Sequence, residues 1–398
     1  MAPNSHQIVR RIDVYIWEQP SWPDLTWDNG RLLEPLGAAR LKQGHLLGGM
    51  AALGFDLKLE AQLEALTEEA VKTSEIEGER LDRDSVRSSI ARHLGLTQAA
   101  LAPTDRRAEG VVEMMLDATA NHETGLTAER LFGWQAALFP TGYSGMRRIR
   151  TGAWRDDETG PMQVVSGPVG RERVHYEAPP ARRLEAEVRA FLDWFNGRAG
   201  PEGVLRAGIA HLWFVTIHPF EDGNGRIARA ITDLALAQSE NSGQRFYSMS
   251  SQIREERSDY YDMLERTQKG GLDITDWLVW FVGCFARALD GAEQTCALVL
   301  RKAAFWRRHA REPFTGRQKA VLNRFLDGFE GKLTARKWAA IGKCSVATAQ
   351  RDINKLVAGG ILRRNPGGSK RTSYDLGEKS GTASPDPASG VAPAVDDA

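Results

Sequence analysis

Residues 207–230 of this 398-residue chain read AGIAHLWFVTIHPFEDGNGRIARA, and they constrain the fold more tightly than any other stretch. Ile209, Leu212, Trp213 and Val215 make residues 207–217 a strongly apolar segment, predicted to be a buried helix. His218-Pro219 ends it, because the residue before a proline is driven out of the α region. Glu221 to Gly225 then form a tight loop, and residues 226–236 return to an apolar helical pattern. The spacing predicts helix, glycine-rich loop, helix.

Such a loop has its own chemistry. The second helix presents free backbone N–H groups and its positive dipole end at Gly223, Asn224 and Gly225, where the glycines allow a phosphate to approach closely. Arg226 and Arg229 stand at i and i+3 on one helix face, able to grip neighbouring phosphate oxygens. Asp222 suits Mg²⁺, which keeps several waters and takes one or two carboxylates plus phosphates. His218 is the nearby group that can take a proton near neutral pH. Taken singly, a histidine at a helix end is usually a surface residue, and Gly-Asn-Gly is only a turn signal. The ordered string describes nucleotidyl or phosphoryl transfer.

The rest of the chain frames that segment. Its length exceeds what one core usually supports, so two or three domains are expected. Lys plus Arg equals Asp plus Glu, 52 each, but the charge is unevenly spread. Residues 301–377 carry 18 Lys and Arg against 5 Asp and Glu, a net of +13, which leaves residues 1–300 acidic. Three scattered cysteines exclude a disulfide framework and offer no metal-ligand spacing. With no apolar h-region at the N-terminus and no apolar run long enough for a bilayer, a cytoplasmic protein without membrane contact is expected.

The expected fold is mainly α. Trp17, Trp22 and Trp27, interleaved with Pro20 and Pro23, suggest irregular structure or a small hairpin up to about Gly54, with the aromatics forming a small core of their own. Helices are predicted from Asp56 onward, near 82–94, 107–120, 126–138, 181–197, 201–217, 225–238, 253–268 and 273–309. Residues 145–180 lack a helical period, and Met162 to Ser166 with Arg173 to Tyr176 read as a β-hairpin around Gly167-Pro168-Val169-Gly170. Beyond Gly316, three helices followed by a hairpin outline a winged helix-turn-helix. Residues 378–398 are expected to be disordered.

HPFEDGNGRIAR resembles the signature of the Fic family, His-Pro-Phe-x-[Asp/Glu]-Gly-Asn-[Gly/Lys]-Arg-x-x-Arg, at every fixed position. The resemblance, spanning roughly residues 107–290, implies a Fic-type helical bundle with a β-hairpin flap, and transfer of AMP from ATP to a Ser, Thr or Tyr hydroxyl of a target protein. It implies that His218 is the base, that Phe220 anchors the loop, and that Asp222 holds Mg²⁺ on the α- and β-phosphates. Gly223, Asn224 and Gly225 would cradle the phosphates, with Asn224 aimed at the α-phosphate. Arg226 would serve the α/β-phosphates and Arg229 the γ-phosphate. The flap residues Val164, Val165, Ser166 and Gly167 would align the target by strand addition, and Tyr260 and Tyr261 are candidates for adenine or ribose, or for core packing. TSEIEG, residues 73–78, reads plainly as a helix end, and it also resembles the family's inhibitory motif [Ser/Thr]-x-x-x-Glu-[Gly/Asn] through Thr73, Glu77 and Gly78. In that resemblance Glu77 pairs with Arg229 and so keeps ATP out of its productive pose.

The expected organisation is therefore an N-terminal domain over 1–106 ending in the inhibitory helix, a Fic catalytic domain over 107–300, a winged helix-turn-helix over 301–377, and the tail. In the third, residues 345–358 form the recognition helix with Thr348, Gln350, Arg351 and Lys355 exposed, and the wing carries Arg363, Arg364, Lys370 and Arg371. These residues are candidates for DNA contact, and protein contact or dimerisation is the competing reading. Two further functions stay open. The same site could remove AMP or use another donor, although Gly225, where some phosphorylating relatives have Lys, favours AMP. Alternatively, the chain could be a DNA-binding transcriptional regulator with a nucleotide-sensing Fic body.

Overall fold

The computed structural model describes residues 14–96, 105–158, 160–168, 171, 173–197, 200–326, 331–366 and 372–377. Lys370, Arg371, Val169, Gly170 and the tail at 378–398 lie outside the described residues. The chain divides into two compact units, Met1–Ala297 and Leu298–Ala398.

The first unit is helical around one hydrophobic core. After a 3₁₀ turn at Ile16–Glu18 comes α1, Asn29–Ala51, capped by Asp28, whose side chain accepts from the Gly30 N–H. This 23-residue helix corrects the irregular opening segment expected above. Pro20 and Pro23 precede it, and Pro35 is accommodated within it. Leu32, Ala39, Gln43, Leu46 and Met50 recur at helical spacing and are buried, so tertiary packing outweighs the cost of the proline. The tryptophans do not build a core of their own either. Trp17 donates to the Glu177 carbonyl at 2.9 Å, and Trp22 donates to Glu187 at 2.8 Å while meeting the Trp213 ring edge-on.

Next come α2 (Phe55–Ile76), α3 (Arg83–His93), α4 (Arg106–Ala120) and α5 (Ala128–Leu138). Two antiparallel pairs follow: β1 (Tyr143–Ser144) with β2 (Arg147–Arg148), and β3 (Gln163–Ser166) with β4 (Arg173–Glu177). The first pair is additional to the one hairpin expected, since two-residue strands leave no alternating pattern to read. Then come α6 (Ala181–Asn196), α7 (Gly203–Ile217), α8 (Asn224–Glu240), α9 (Met249–Glu255), α10 (Arg257–Gln268) and α11 (Thr275–Arg308). The single helix expected at 253–268 is two, because Glu256 leaves helical geometry between α9 and α10.

At the centre, α7 is buried along almost its whole length, which explains a sequence apolar on every face. It packs on α8 and on α11, where a Cβ at Gly208 would stand 2.9 Å from the Phe281 ring and Trp277 donates to the Gly208 carbonyl. Residues on both sides of position 106 share this core, from Leu32 and Leu66 to Phe214 and Phe281.

In the second unit, Phe305, Trp306 and Phe314 pack against a core of Val321, Leu322, Trp338, Ile353 and Leu356. Its elements are α12 (Gly316–Leu326), α13 (Ala335–Ile341), α14 (Val346–Ala358), and the antiparallel strands β5 (Leu362–Arg364) and β6 (Tyr374–Leu376). Thr334 and Ser345 cap α13 and α14, each accepting from the backbone N–H three residues on.

Candidate functional site

The loop from His218 to Gly223 is fastened from inside the protein. Phe220 is fully buried among Phe132, Trp154 and Phe214. Asn224, the first residue of α8, accepts from the Phe220 N–H at 3.0 Å and donates back to the Phe220 carbonyl at 2.8 Å. Its side chain thus closes the loop, which departs from the expected aim at an α-phosphate. What Asn224 offers a ligand is its backbone N–H, unpaired within the helix's first turn. Gly223 caps α8 with a φ of 90°, a conformation that favours glycine, and an added Cβ would press on the Phe139 ring at 3.0 Å.

His218 is the αL cap of α7, with a φ of 50°. Its Nδ1 lies 3.3 Å from the Val215 carbonyl oxygen, an arrangement that makes Nδ1 the protonated nitrogen and leaves Nε2 with its lone pair. Burial first, and then the Arg155 guanidinium, lower its pKa to about 4, so the imidazole is neutral at physiological pH. Arg155 was not singled out in the sequence, yet it organises this corner. Almost wholly buried, it donates to the carbonyls of His218 at 2.8 Å and Pro179 at 2.5 Å and pairs with Asp157 at 3.1 Å. Nothing in the string RTGAWRDD separates it from its solvated neighbours. Asp222 accepts from the Gly223 N–H at 2.6 Å and from the Ser144 hydroxyl, which makes β1 part of the site.

The two arginines of α8 are both buried and both paired with the end of α2. Arg229 donates through Nε to the Thr73 hydroxyl at 2.6 Å, and through Nη2 to the Thr73 carbonyl at 3.0 Å and to Glu77 at 2.7 Å. Burial is the largest single influence and opposes its charge, but Glu77 together with Tyr260 and Tyr261 holds the guanidinium's pKa above its ordinary value. Arg226 lies over the Phe139 ring and donates to Glu79 at 2.9 Å. Gly225 has a steric purpose here: a Cβ would stand 2.2 Å from Glu77 Oε1. Gly78 turns the chain with a φ of 82° directly after the Glu77 cap.

Facing this wall is the β3–β4 hairpin. Val164, Val165 and Ser166 line a cavity of about 670 Å³ together with Glu77, His218 and Gly225. Gly167, with a φ of 102°, turns the hairpin and is not among the lining residues. The hairpin is tied to α10 by a relay that sequence reading missed: Ser166 Oγ is 2.6 Å from His175 Nε2, and His175 Nδ1 is 2.5 Å from Glu265. Hydrogen bonds from His175, Lys269 and Arg173 more than offset what burial there is, and hold the Glu265 carboxyl at about 2. Tyr260 and Tyr261 separate. The Tyr260 hydroxyl is engaged with His211 at 2.8 Å inside the core, and burial raises its pKa, whereas Tyr261 is half-exposed beneath Arg257.

The remaining candidates belong to the second unit. Arg351, Lys355, Arg363 and Arg364 are exposed. Gln350 is occupied, donating to Asn354 at 2.9 Å and to the Tyr374 hydroxyl at 3.1 Å. Thr348 is half-buried, its N–H held by Ser345. Among the described residues no group of three or more His, Cys, Asp or Glu could hold a metal by itself, and no helix is long and apolar enough to cross a membrane.

Residues 125–236 match the Fic/DOC family, and residues 15–96 match a domain of unknown function, DUF4172. The protein adenylyltransferase Fic of Nematostella vectensis is 33% identical over 116 residues, which is 28% of this chain and 25% of that protein. Its namesake in Drosophila willistoni is 30% identical over 132 residues, covering 32% and 25%. The chain thus spans about a quarter of the length of these relatives. Among solved structures, a Fic family protein from Desulfovibrio desulfuricans aligns over 88% of this chain and 97% of its own, with 19% identity and a TM-score of 0.49. A Fic domain-containing signaling protein from Bacteroides thetaiotaomicron aligns over 66% and 97%, with 18% identity and a TM-score of 0.47.

Proposed function

We propose, from the premise that this chain carries a Fic-family domain, that it is a protein adenylyltransferase held in check by its own α2. The substrates are ATP and a Ser, Thr or Tyr hydroxyl of a target protein. His218 Nε2 takes the hydroxyl proton, the freed oxygen bonds to the α-phosphorus, and pyrophosphate leaves. The N–H groups of Asn224 and Gly225 stabilise the negative charge that builds up on the phosphate oxygens, while the Gly223 N–H stays with Asp222 and Gly223 lets the phosphate approach. Arg226 serves the α- and β-phosphates, and Arg229 the γ-phosphate. The β3–β4 hairpin aligns the target segment beside His218.

Asp222 fits Mg²⁺. Each of its oxygens accepts one hydrogen bond and keeps a further lone pair, and a single carboxylate with phosphates and waters is a usual Mg²⁺ environment. Bound there, the ion would neutralise phosphate charge. The brake is electrostatic: while Glu77 holds Arg229, a carboxylate stands where the γ-phosphate would be held.

The observation that carries this reading is the shared cavity, in which a neutral histidine with a free Nε2, the glycine of the anion nest, the flap and Glu77 meet. The test is to incubate the Glu77→Gly chain with Mg²⁺, ATP and cell lysate, and to map mass additions on proteins. We expect AMP adducts well above those of the wild type, lost in Glu77→Gly/His218→Ala. Equal labelling by wild type and the Glu77 variant would defeat the brake. A second reading concerns residues 298–377 alone: their excess of cations and the exposed Arg351, Lys355, Arg363 and Arg364 favour a nucleic-acid partner for that unit.

A further inference from the structure

The brake has a second carboxylate, which the inhibitory motif does not include. Helix α2 ends with the Gly78 N–H bonded to the Glu75 carbonyl at 3.1 Å and the Glu79 N–H bonded to the Ser74 carbonyl at 3.0 Å. This paired closure around a left-handed glycine fixes the backbone on both sides of Gly78. Glu77 and Glu79, the residues flanking that glycine, reach different arginines. Glu77 Oε1 lies 2.7 Å from Arg229, and Glu79 Oε2 lies 2.9 Å from Arg226. The Arg226 side chain is 3% exposed, and its Nε has no hydrogen-bond partner among the described residues. A guanidinium so far removed from water requires an anion. Here Glu79 is that anion.

We propose that Glu79 is a separate gate on the diphosphate-binding arm of the site, so that Glu79 opposes nucleoside diphosphates and triphosphates alike whereas Glu77 opposes triphosphates alone. The inference rests on the reading above, in which Arg226 serves the α- and β-phosphates and Arg229 the γ-phosphate. Glu77 then competes with a group that only a triphosphate possesses. Glu79 competes with a group that ADP and ATP share. Removing one charge releases one arginine, and the two releases have distinct nucleotide signatures. A general rise in positive potential would not separate them, because it would favour both nucleotides after either substitution.

The experiment is calorimetric titration of the full-length chain with ADP and with ATP in Mg²⁺, for the wild type and three isosteric variants. Glu79→Gln is expected to tighten ADP and ATP alike, by about fivefold, the scale of one partly exposed ion pair. Glu77→Gln is expected to tighten ATP and leave ADP unchanged. Glu75→Gln controls for charge, since Glu75 pairs with Lys72 at 3.0 Å and with Arg254 at 3.6 Å, and it should change neither. If Glu79→Gln binds ADP as the wild type does while Glu77→Gln gains ATP affinity, the second gate is overturned and the first stands. Equal gains in Glu79→Gln and Glu75→Gln would also overturn it. If no form of the chain binds ATP, the adenylyltransferase reading falls with it.

Discussion

At the residue scale, His218 unites a conformation, a charge state and a proposed role. The proline after it ends α7, the cap bends it to a φ of 50°, and the Val215 carbonyl beside Nδ1 turns Nε2 outward as the acceptor. Burial and Arg155 disfavour its imidazolium form, while the Val215 carbonyl, Glu77 and Asp222 favour it only in part. A base whose pKa is lowered stays deprotonated further into acid. We therefore expect kcat/KM for AMP transfer by the Glu77→Gly chain to hold steady from neutral pH down to about 5 and to fall with a limb near 4. Loss of Glu77 removes one of the groups favouring protonation, so the limb moves lower, not higher. Initial rates against pH give the answer, and a limb centred on 6.5 would contradict a desolvated base beside Arg155. The motif residues were legible because their order is fixed along the chain. Arg155, Ser144 and Glu79 were not, since each acts through a partner more than sixty residues away.

At the scale of elements, α2 is the part that must move if the site is to open. One stripe of it carries Glu69, Thr73 and Glu77 at intervals of four, so all three face the same way. Thr73 and Glu77 hold Arg229. Glu69, buried a turn earlier, accepts from the Ser248 hydroxyl at 2.7 Å, the Ser250 N–H at 2.9 Å and the Ser250 hydroxyl. The brake helix is thus pinned to the start of α9. Glu69→Ala leaves three buried donors without an acceptor, a loss of about 2–4 kcal/mol, and it loosens α2. We expect a lower Tm together with AMP transfer above that of the wild type, even though Glu77 itself still faces Arg229. A fall in Tm without any gain in transfer would show that α2 does not control the site. The helical period disclosed α2 and its glycine stop, yet sequence could not say that the stripe behind the motif was an anchor. The misread α1 shows the reverse limit. Prolines ahead of a helix argue against order locally, and the packing of Leu32, Leu46 and Met50 decides otherwise.

At the scale of the whole molecule, an acidic body is joined in sequence to a strongly basic unit. If residues 298–377 engage a nucleic-acid backbone through Arg351, Lys355, Arg363 and Arg364, the logarithm of duplex affinity should fall against the logarithm of salt concentration with a slope of roughly −4, close to one per phosphate. Arg363→Glu/Arg364→Glu should about halve that slope, and a flat salt dependence would assign the unit to protein contact instead. The sequence by itself determined what is written in short-range order: the helix–loop–helix of residues 207–236, the ordered chemistry of HPFEDGNGRIAR, the glycine stop after Glu77, and the three helices and hairpin near the C-terminus. Each depends on backbone preferences or on residues within a dozen positions of one another. Only the tertiary structure decided which groups meet across the chain: Asn224 spent on the loop's own backbone, Tyr260 drawn into the core by His211, Arg155 beneath His218, and a carboxylate on each arginine of α8. Those outcomes follow from burial, because a polar group removed from water takes whichever partner the packing brings within reach, and no local pattern records which one that will be.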